Sequence, residues 1–102
     1  MKLSGHSILI VESEVGSFVA ALQAAIDRTG AESMVARDVA AALQRTRLFR
    51  FSAVVINVEH RALIDDLDIP VVVYGASALP ARPEVIVSRL KKLLGERGAA
   101  TL

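Results

Sequence analysis

Side chains able to do chemistry are few in this sequence. None of the 102 residues is a cysteine. A thiolate nucleophile, a Cys-ligated zinc and a disulfide framework are therefore excluded. The two histidines, His6 and His60, have neither a neighbouring nucleophile nor metal-ligand spacing and are expected at the surface. What remains is a set of oxygen and nitrogen groups that follow short apolar runs. Glu12, Ser13 and Glu14 come after Ile8-Leu9-Ile10-Val11, Asn57 closes Ala53-Val54-Val55-Ile56, Tyr74-Gly75-Ala76-Ser77 follows Val71-Val72-Val73, and Arg82 precedes Pro83. The Glu12 carboxylate is a hard oxygen ligand for a divalent cation; its plainer role is a solvated acid that accepts from the N–H groups of the next helix. Asn57 is a poor nucleophile and a neutral, weak ligand, and its plainer role is to cap the turn after its strand. Gly75 and Ser77 are too sparse for a phosphate-cradling loop, and no Lys follows them as such a loop requires.

These residues need a scaffold to bring them together, and the apolar pattern supplies one. Ser7–Glu12, Ser33–Ala36, Ala53–Asn57 and Ile69–Tyr74 read as strands, and three of the four are β-branched and nearly unbroken, as in strands covered on both faces. Between them lie helical patterns. Val15, Phe18, Leu22, Ile26 and Thr29 define one face of a first helix, with Ser13 as its N-cap and Gly30 as its stop. Asp38 caps a second helix that turns Val39, Ala42 and Leu43 inward and ends near Leu48. A short third helix is expected at Arg61–Leu67, with Asp65, Asp66 and Asp68 crowding its end. A last helix opens at Pro83, buries Val85, Ile86, Leu90, Leu93 and Leu94, and stops at Gly95 or Gly98. Strands alternating with helices call for one α/β domain with a parallel sheet and right-handed crossovers. Its core is expected over residues 7–95, with tails at 1–6 and 96–102. In such a sheet the site lies at the carboxyl ends of the strands, where Glu12, Ser13, Asn57 and Tyr74–Ser77 all fall.

The order and spacing of these motifs resemble the receiver domain of two-component response regulators over residues 7 to 95. Ile8-Leu9-Ile10-Val11-Glu12-Ser13-Glu14 is similar to the family's first strand and acidic pair. Ala53–Asn57 is similar to the strand that ends in the phosphoacceptor Asp, Pro70–Ala76 to the strand ending in Thr/Ser-Ala, and Arg82-Pro83 to the Lys-Pro pair. The resemblance implies a flavodoxin-like three-layer sandwich with strand order 2-1-3-4. It also implies a degenerate site. Asn57 stands at the phosphoacceptor position, Ser13 replaces the second acid and leaves Glu12 alone in the metal pocket, and the switch positions fall on Gly75, Leu79 and Arg82, with Arg82 able to reach Glu12 or Asn57. Between Ala76 and Arg82 there are only Ser77, Ala78, Leu79, Pro80 and Ala81, so the fourth helix is read as missing and the fifth strand as vestigial.

The expectation is a non-phosphorylatable, stand-alone receiver-like protein that is not an enzyme, holds no cofactor or metal, and signals in the cytoplasm by protein contact. Its partner would be a sensor kinase, a phosphotransfer protein, another response regulator or a second copy. Two alternatives stay open: an atypical receiver phosphorylated on Ser13 or Glu12, and a small-ligand sensor. The shortened region is expected to expose an interaction surface around Val72, Tyr74, Leu79, Val85 and Arg89. Arg37, Arg45, Arg47 and Arg50, clustered about the second helix, read either as a patch for an acidic partner or as an ordinary wet face. A net charge of +1 with 4% aromatics and no Trp argues against nucleic-acid binding. No apolar run reaches the ~20 residues of a membrane span or the pattern of a signal peptide.

Overall fold

The computed structural model describes residues 3–60 and 67–100, the last five of these by backbone alone. The chain runs β1 (Ser7–Val11), α1 (Ser17–Asp27), β2 (Glu32–Ala36), α2 (Val39–Leu48), β3 (Ala53–Asn57), β4 (Val71–Tyr74) and α3 (Pro83–Ala100). The four strands form one parallel sheet in the order β2-β1-β3-β4, as expected from the receiver resemblance. Helices α1 and α3 pack on one face, over a core that includes Ile8, Ile10, Leu22, Ile26, Ile86 and Leu90. Helix α2 packs on the other, over Leu9, Val11, Ala36, Val54 and Ile56. Because successive side chains of a strand point to opposite faces, the unbroken runs of β1 and β3 feed both cores at once.

Strand β4 departs from that reading. Val72 and Tyr74 are buried on the α1/α3 face, whereas Val71 and Val73 are only half-buried on the α2 face. Val71 and Val73 pack with Leu67 and Ile69 against the α2-side core. Among the described residues α2 reaches β1 and β2, and no helix lies over β4 on that face. From Gly75 to Arg82 the chain forms turns and no helix. The vestigial fifth strand is a single parallel bridge between Tyr74 and Leu79, in which Leu79 O accepts from Gly75 N–H at 2.8 Å.

The caps are partly as the sequence suggests. Asp38 caps α2, its Oδ1 accepting from Ala41 N–H at 2.7 Å. Gly30, at φ +92°, follows α1 in a backbone conformation that favours glycine, and a Cβ there would also force the Ser4 hydroxyl, 2.6 Å away, to turn aside. Ser13 is not the α1 cap. That helix starts at Ser17 behind Gly16, which makes no side-chain cap bond, and Val15, expected on its buried face, is 47% exposed. Of the other residues expected on that face, Leu22, Ile26 and Thr29 are buried and Phe18 packs against the same core, joined by Val19 and Ala25.

Both domain edges also shift. Leu3, expected in the tail 1–6, is buried in the α1/α3 core, and its N–H donates to Thr29 O at 2.7 Å. Helix α3 passes both Gly95 and Gly98 and continues to Ala100. Residues 58–60 form one 3-10 turn after β3, and the helix expected at Arg61–Leu67 falls, except for Leu67, outside the described residues.

Candidate functional site

The carboxyl ends of β1, β3 and β4 bring three polar side chains together. The β3–β4 register pairs Asn57 with Tyr74, and Glu12 directly follows β1, which lies on the other side of β3. Glu12 is 6% exposed. Its Oε1 accepts from Tyr74 O–H at 2.6 Å and from Asn57 Nδ2 at 2.9 Å, and its Oε2 accepts from Glu14 N–H at 3.2 Å. The other end of the Asn57 amide is also engaged, because Oδ1 accepts from Glu59 N–H at 3.0 Å. That pair of contacts fixes the amide's orientation: flipped, it would set an oxygen against a carboxylate and an NH₂ against an N–H. The Tyr74 ring is held from beneath by Phe18, with centroids 5.3 Å apart and planes tilted by 52°.

The electrostatics follow from this geometry. Burial by itself pushes the Glu12 pKa up. Hydrogen bonds from Tyr74, Asn57 and Glu14 N–H, helped by the charge of His60, outweigh burial and hold the group below its ordinary value. Burying a carboxylate costs several kcal/mol, and hydrogen bonds to a charged group contribute about 1.5–3 kcal/mol each, so the donors present are of the right size to keep it ionised. Tyr74 moves far upward, first through burial and then through its bond to the Glu12 anion and that anion's charge. It acts only as a donor here.

The Mg²⁺ that a receiver-like fold implies does not fit this donor set. Magnesium asks for nearly octahedral hard oxygen ligands. Here both Glu12 oxygens and the Asn57 oxygen already accept hydrogen bonds, the Asn57 NH₂ faces the carboxylate, and Ser13 is exposed. Among the described residues no group of three His, Cys, Asp or Glu side chains is placed to hold a metal ion.

The expected site residues separate into two groups. Glu12, Asn57 and Gly75 are together, and a Cβ on Gly75 would lie 3.5 Å from Asn57 Oδ1. Gly75 has φ +98°, and Ala76 after it holds φ +47°, a conformation few non-glycine residues adopt. Asn57 does cap its turn, through Glu59, and also donates to Glu12. Glu12 is not the solvated acid of the plainer reading. Arg82 does not reach Glu12 or Asn57. It is exposed and pairs with Glu84, Nη2 to Oε1 at 2.7 Å, because Glu84 sits in the first turn of α3 within easy reach. Glu84 is held below its ordinary pKa by backbone N–H first and by Arg82 second.

Of the expected interaction surface, Val72 and Tyr74 point into the α1/α3 core at 3% and 1% exposure and present no side chain outward. The one-residue alternation of β4 decides this, since the residues turned toward the α2 face are Val71 and Val73. Leu79 and Val85 are half-buried and Arg89 is exposed, and all three line a cleft of about 340 Å³ beside α3. His60 is not a plain surface residue, since its Nε2 is buried and has no partner among the described residues. His6 is half-buried and bonds Ser52 Oγ through Nδ1 at 2.8 Å. The residue that sequence reasoning missed is Tyr74 as the partner of Glu12. The available signal was its place at the end of β4, level with Asn57.

A four-stranded parallel sheet in this order, with a polar cluster at the carboxyl ends of its strands, defines a flavodoxin-like, receiver-type fold. Comparison with solved structures agrees. The chain is similar to the chemotaxis response regulator CheY4 of Vibrio cholerae, with a TM-score of 0.72 and 16% identity over 85% of this chain and 97% of that one. It is also similar to a yeast Spc42 trimeric coiled-coil segment fused to another structure, with a TM-score of 0.64 and 19% identity over 90% of this chain and 66% of that one. No protein-family model and no curated protein matches the sequence. Among the described residues no helix is long and apolar enough to cross a membrane.

Proposed function

We propose that this chain is a receiver-like signalling protein that acts by binding other proteins and takes no phosphoryl group at the end of β3. The observation that carries this reading is the Asn57 amide, fixed between the Glu12 carboxylate and Glu59 N–H where a receiver would place its nucleophilic carboxylate. A neutral amide offers no anionic oxygen to attack a phosphodonor. Glu12, its neighbour, is closed off by Tyr74. The likeness in fold to a chemotaxis response regulator supports a role in two-component signalling. On this reading the protein is not an enzyme, needs no metal or cofactor, binds neither nucleic acid nor membrane, and works in the cytoplasm. Its partners are a sensor kinase, a phosphotransfer protein, another response regulator or a second copy. The cleft of Leu79, Val85 and Arg89 is the surface offered to them. A homodimer through this side is the simplest assembly, since a two-fold axis needs one self-complementary patch.

The test is incubation with Mg²⁺ and a small phosphodonor, followed by intact-mass spectrometry. The expected result is an unchanged mass. A stoichiometric phosphoryl adduct that maps to Ser13 or Glu12 would replace this reading with the atypical-receiver alternative. Sedimentation of the native protein and of Leu79→Glu reports on self-association: the native dimer is expected to weaken in the variant, and a monomeric native protein removes the dimer from the proposal.

A further inference from the structure

The end of the sheet away from Glu12 carries a second, unassigned feature. Three large apolar side chains stand exposed among the described residues, and two of them are consecutive: Leu48 at 66% and Phe49 at 46%. They mark the point where α2 ends and the chain turns toward β3. Phe49, the C-cap residue, is extended and sends its N–H back to Arg45 O at 2.9 Å. Its ring lies 6.4 Å from that of Phe51. Both rings line a cavity of about 200 Å³, together with Ser7, Ile8, Glu32, Ser33, Met34 and Arg50. Pockets for drug-sized ligands run from about 300 to 1,000 Å³, so this one suits a single side chain of a larger partner.

The charges around it fix what that partner carries. Arg45, Arg47 and Arg50 are all exposed at this end of α2 and in the connection to β3. None makes an ion pair among the described residues, where Arg82 with Glu84 is the only pair. Glu32 is the one carboxylate and Arg50 the one guanidinium lining the cavity, and Arg45 and Arg47 add two exposed cations in the adjoining last turn of α2. Helix ends favour cations in the last turn, which accounts for Arg45 and Arg47 in part. It does not account for two adjacent apolar side chains left in water beside them over a cavity.

We propose that this notch is a docking site for an acidic protein segment that inserts one aliphatic side chain between Phe49 and Met34 while its carboxylates meet Arg45, Arg47 and Arg50. Arginine and aromatic residues are the usual carriers of binding energy at interfaces, and a guanidinium binds a carboxylate through two parallel hydrogen bonds. The proposal is independent of the strand-end site. An anionic membrane surface would also answer to basic and apolar groups, but a recessed cavity sized for one side chain favours a shaped protein ligand over a flat bilayer.

The probe is a short fluorescein-labelled peptide of alternating Glu and Gly with one central Leu, titrated at low ionic strength and followed by anisotropy and by backbone amide shifts of the labelled protein. Controls are the peptide with Gly at the centre, the peptide with Lys in place of Glu, and phosphatidylserine–phosphatidylcholine vesicles. The expected result is saturable binding with shifts confined to Ser7, Ile8, Ser33, Met34 and Phe49–Phe51, weakened by salt and by loss of the central Leu. Arg47→Glu with Arg50→Glu is expected to weaken it about tenfold or more. Phe49→Ser, an exposed replacement whose fold circular dichroism verifies, is expected to abolish it. The proposal is overturned by absent shifts at these amides, by equal binding of the Lys peptide, or by vesicle binding with the same dependence on Phe49.

Discussion

The two ends of the sheet treat their polar groups in opposite ways. At the carboxyl end Glu12, Asn57 and Tyr74 satisfy one another, and the backbone of Glu14 and Glu59 completes the set. At the amino end Arg45, Arg47 and Arg50 have no carboxylate partner among the described residues and lie beside Leu48 and Phe49 in water. A buried polar group must find a partner inside the fold or lose its hydration, so the first cluster has become part of what holds β1, β3 and β4 together. An exposed group is under no such demand, and its lack of partners leaves it free for another molecule. Resemblance to a known active site drew attention to the first end. The second end is where exposed charges without protein partners among the described residues lie beside exposed apolar side chains.

The comparison is broken most forcefully by restoring charge to the carboxyl end. Asn57→Asp places a second carboxylate where an amide now donates to Glu12 Oε1 at 2.9 Å. Two like charges relaxed to about 4 Å apart interact unfavourably by about 4 kcal/mol at an effective dielectric of about 20, and the donated bond is lost as well. The variant is expected to lose on the order of 3 kcal/mol at neutral pH, read by urea denaturation. One carboxyl of the pair then has a raised folded-state pKa, so part of the loss is recovered as pH falls through that value. With Ser13→Asp added, millimolar Mg²⁺ is expected to raise the melting temperature, whereas the native protein is expected not to respond. A native protein that responds to Mg²⁺ through Glu12 would return the carboxyl end to the functional side of the comparison.

Tyr74→Phe is the next largest test. It removes one hydroxyl and leaves the ring against Phe18. A bond to a charged acceptor contributes about 1.5–3 kcal/mol, so a loss of about 2 kcal/mol is expected. The pH dependence of Glu12 gives the same test without altering packing. Its folded-state pKa lies below the ordinary 4.5. Its ionised form therefore stabilises the fold fully above that value, and the contribution disappears as pH falls through the depressed folded value. The stability gap between native protein and Glu12→Gln is expected to be open at pH 7 and to close in acid. A constant gap would mean that the hydrogen bonds do not depend on the charge.

How much of this was legible in the sequence depended on the range of the contact. The strands are marked by apolar runs, and three helices follow from their periodicity and from local residues such as Asp38 and Gly30. The strand order came only with the receiver resemblance, since nothing in a run of Val and Ile says which neighbour it pairs with. The absent fourth helix was legible because Ser77–Ala81 is too short to form one. The carboxyl-end network was half legible. Glu12 and Asn57 are strand-end residues by inspection, but assigning Tyr74 to them requires the β3–β4 register and the face on which β4 lies. Placing Val72 and Tyr74 at the surface was the cost of lacking that register. Ser13 as a cap failed because the chain runs exposed to Gly16 before α1 begins, a choice local propensity does not make.

Gly75→Ala probes the carboxyl end more gently. The added Cβ meets Val58 Cγ1 at 3.4 Å and Asn57 Oδ1 at 3.5 Å, which is ordinary contact, so space is not the obstacle. The φ of +98° is. A left-handed backbone costs an L-residue roughly 1–2 kcal/mol, and a loss near the lower figure is expected, with the Glu12–Asn57–Tyr74 bonds intact. A much larger loss would mean that the turn and the network fold as one unit.

The smallest effect is expected at the amino end, and its smallness is the point. Leu48→Gln and Phe49→Ser replace side chains that are 66% and 46% exposed. Surface substitutions away from caps and buried networks usually change stability by within about 0.5 kcal/mol. Neither residue closes a side-chain hydrogen bond. Phe49 caps α2 through its backbone N–H, which the substitution keeps. The one packing contact at risk is the tilted pair with Phe51 at 6.4 Å; such pairs add about 0.5–1.5 kcal/mol beyond burial, and half-exposure places this one at the lower end. Urea denaturation of both variants is therefore expected to overlay that of the native protein within about 0.5 kcal/mol, while Phe49→Ser loses binding of the acidic peptide. If Phe49→Ser instead costs as much as Tyr74→Phe, the two phenylalanines are a structural clasp between α2 and β3. The amino end would then be as closed upon itself as the carboxyl end, and the contrast between them would fail.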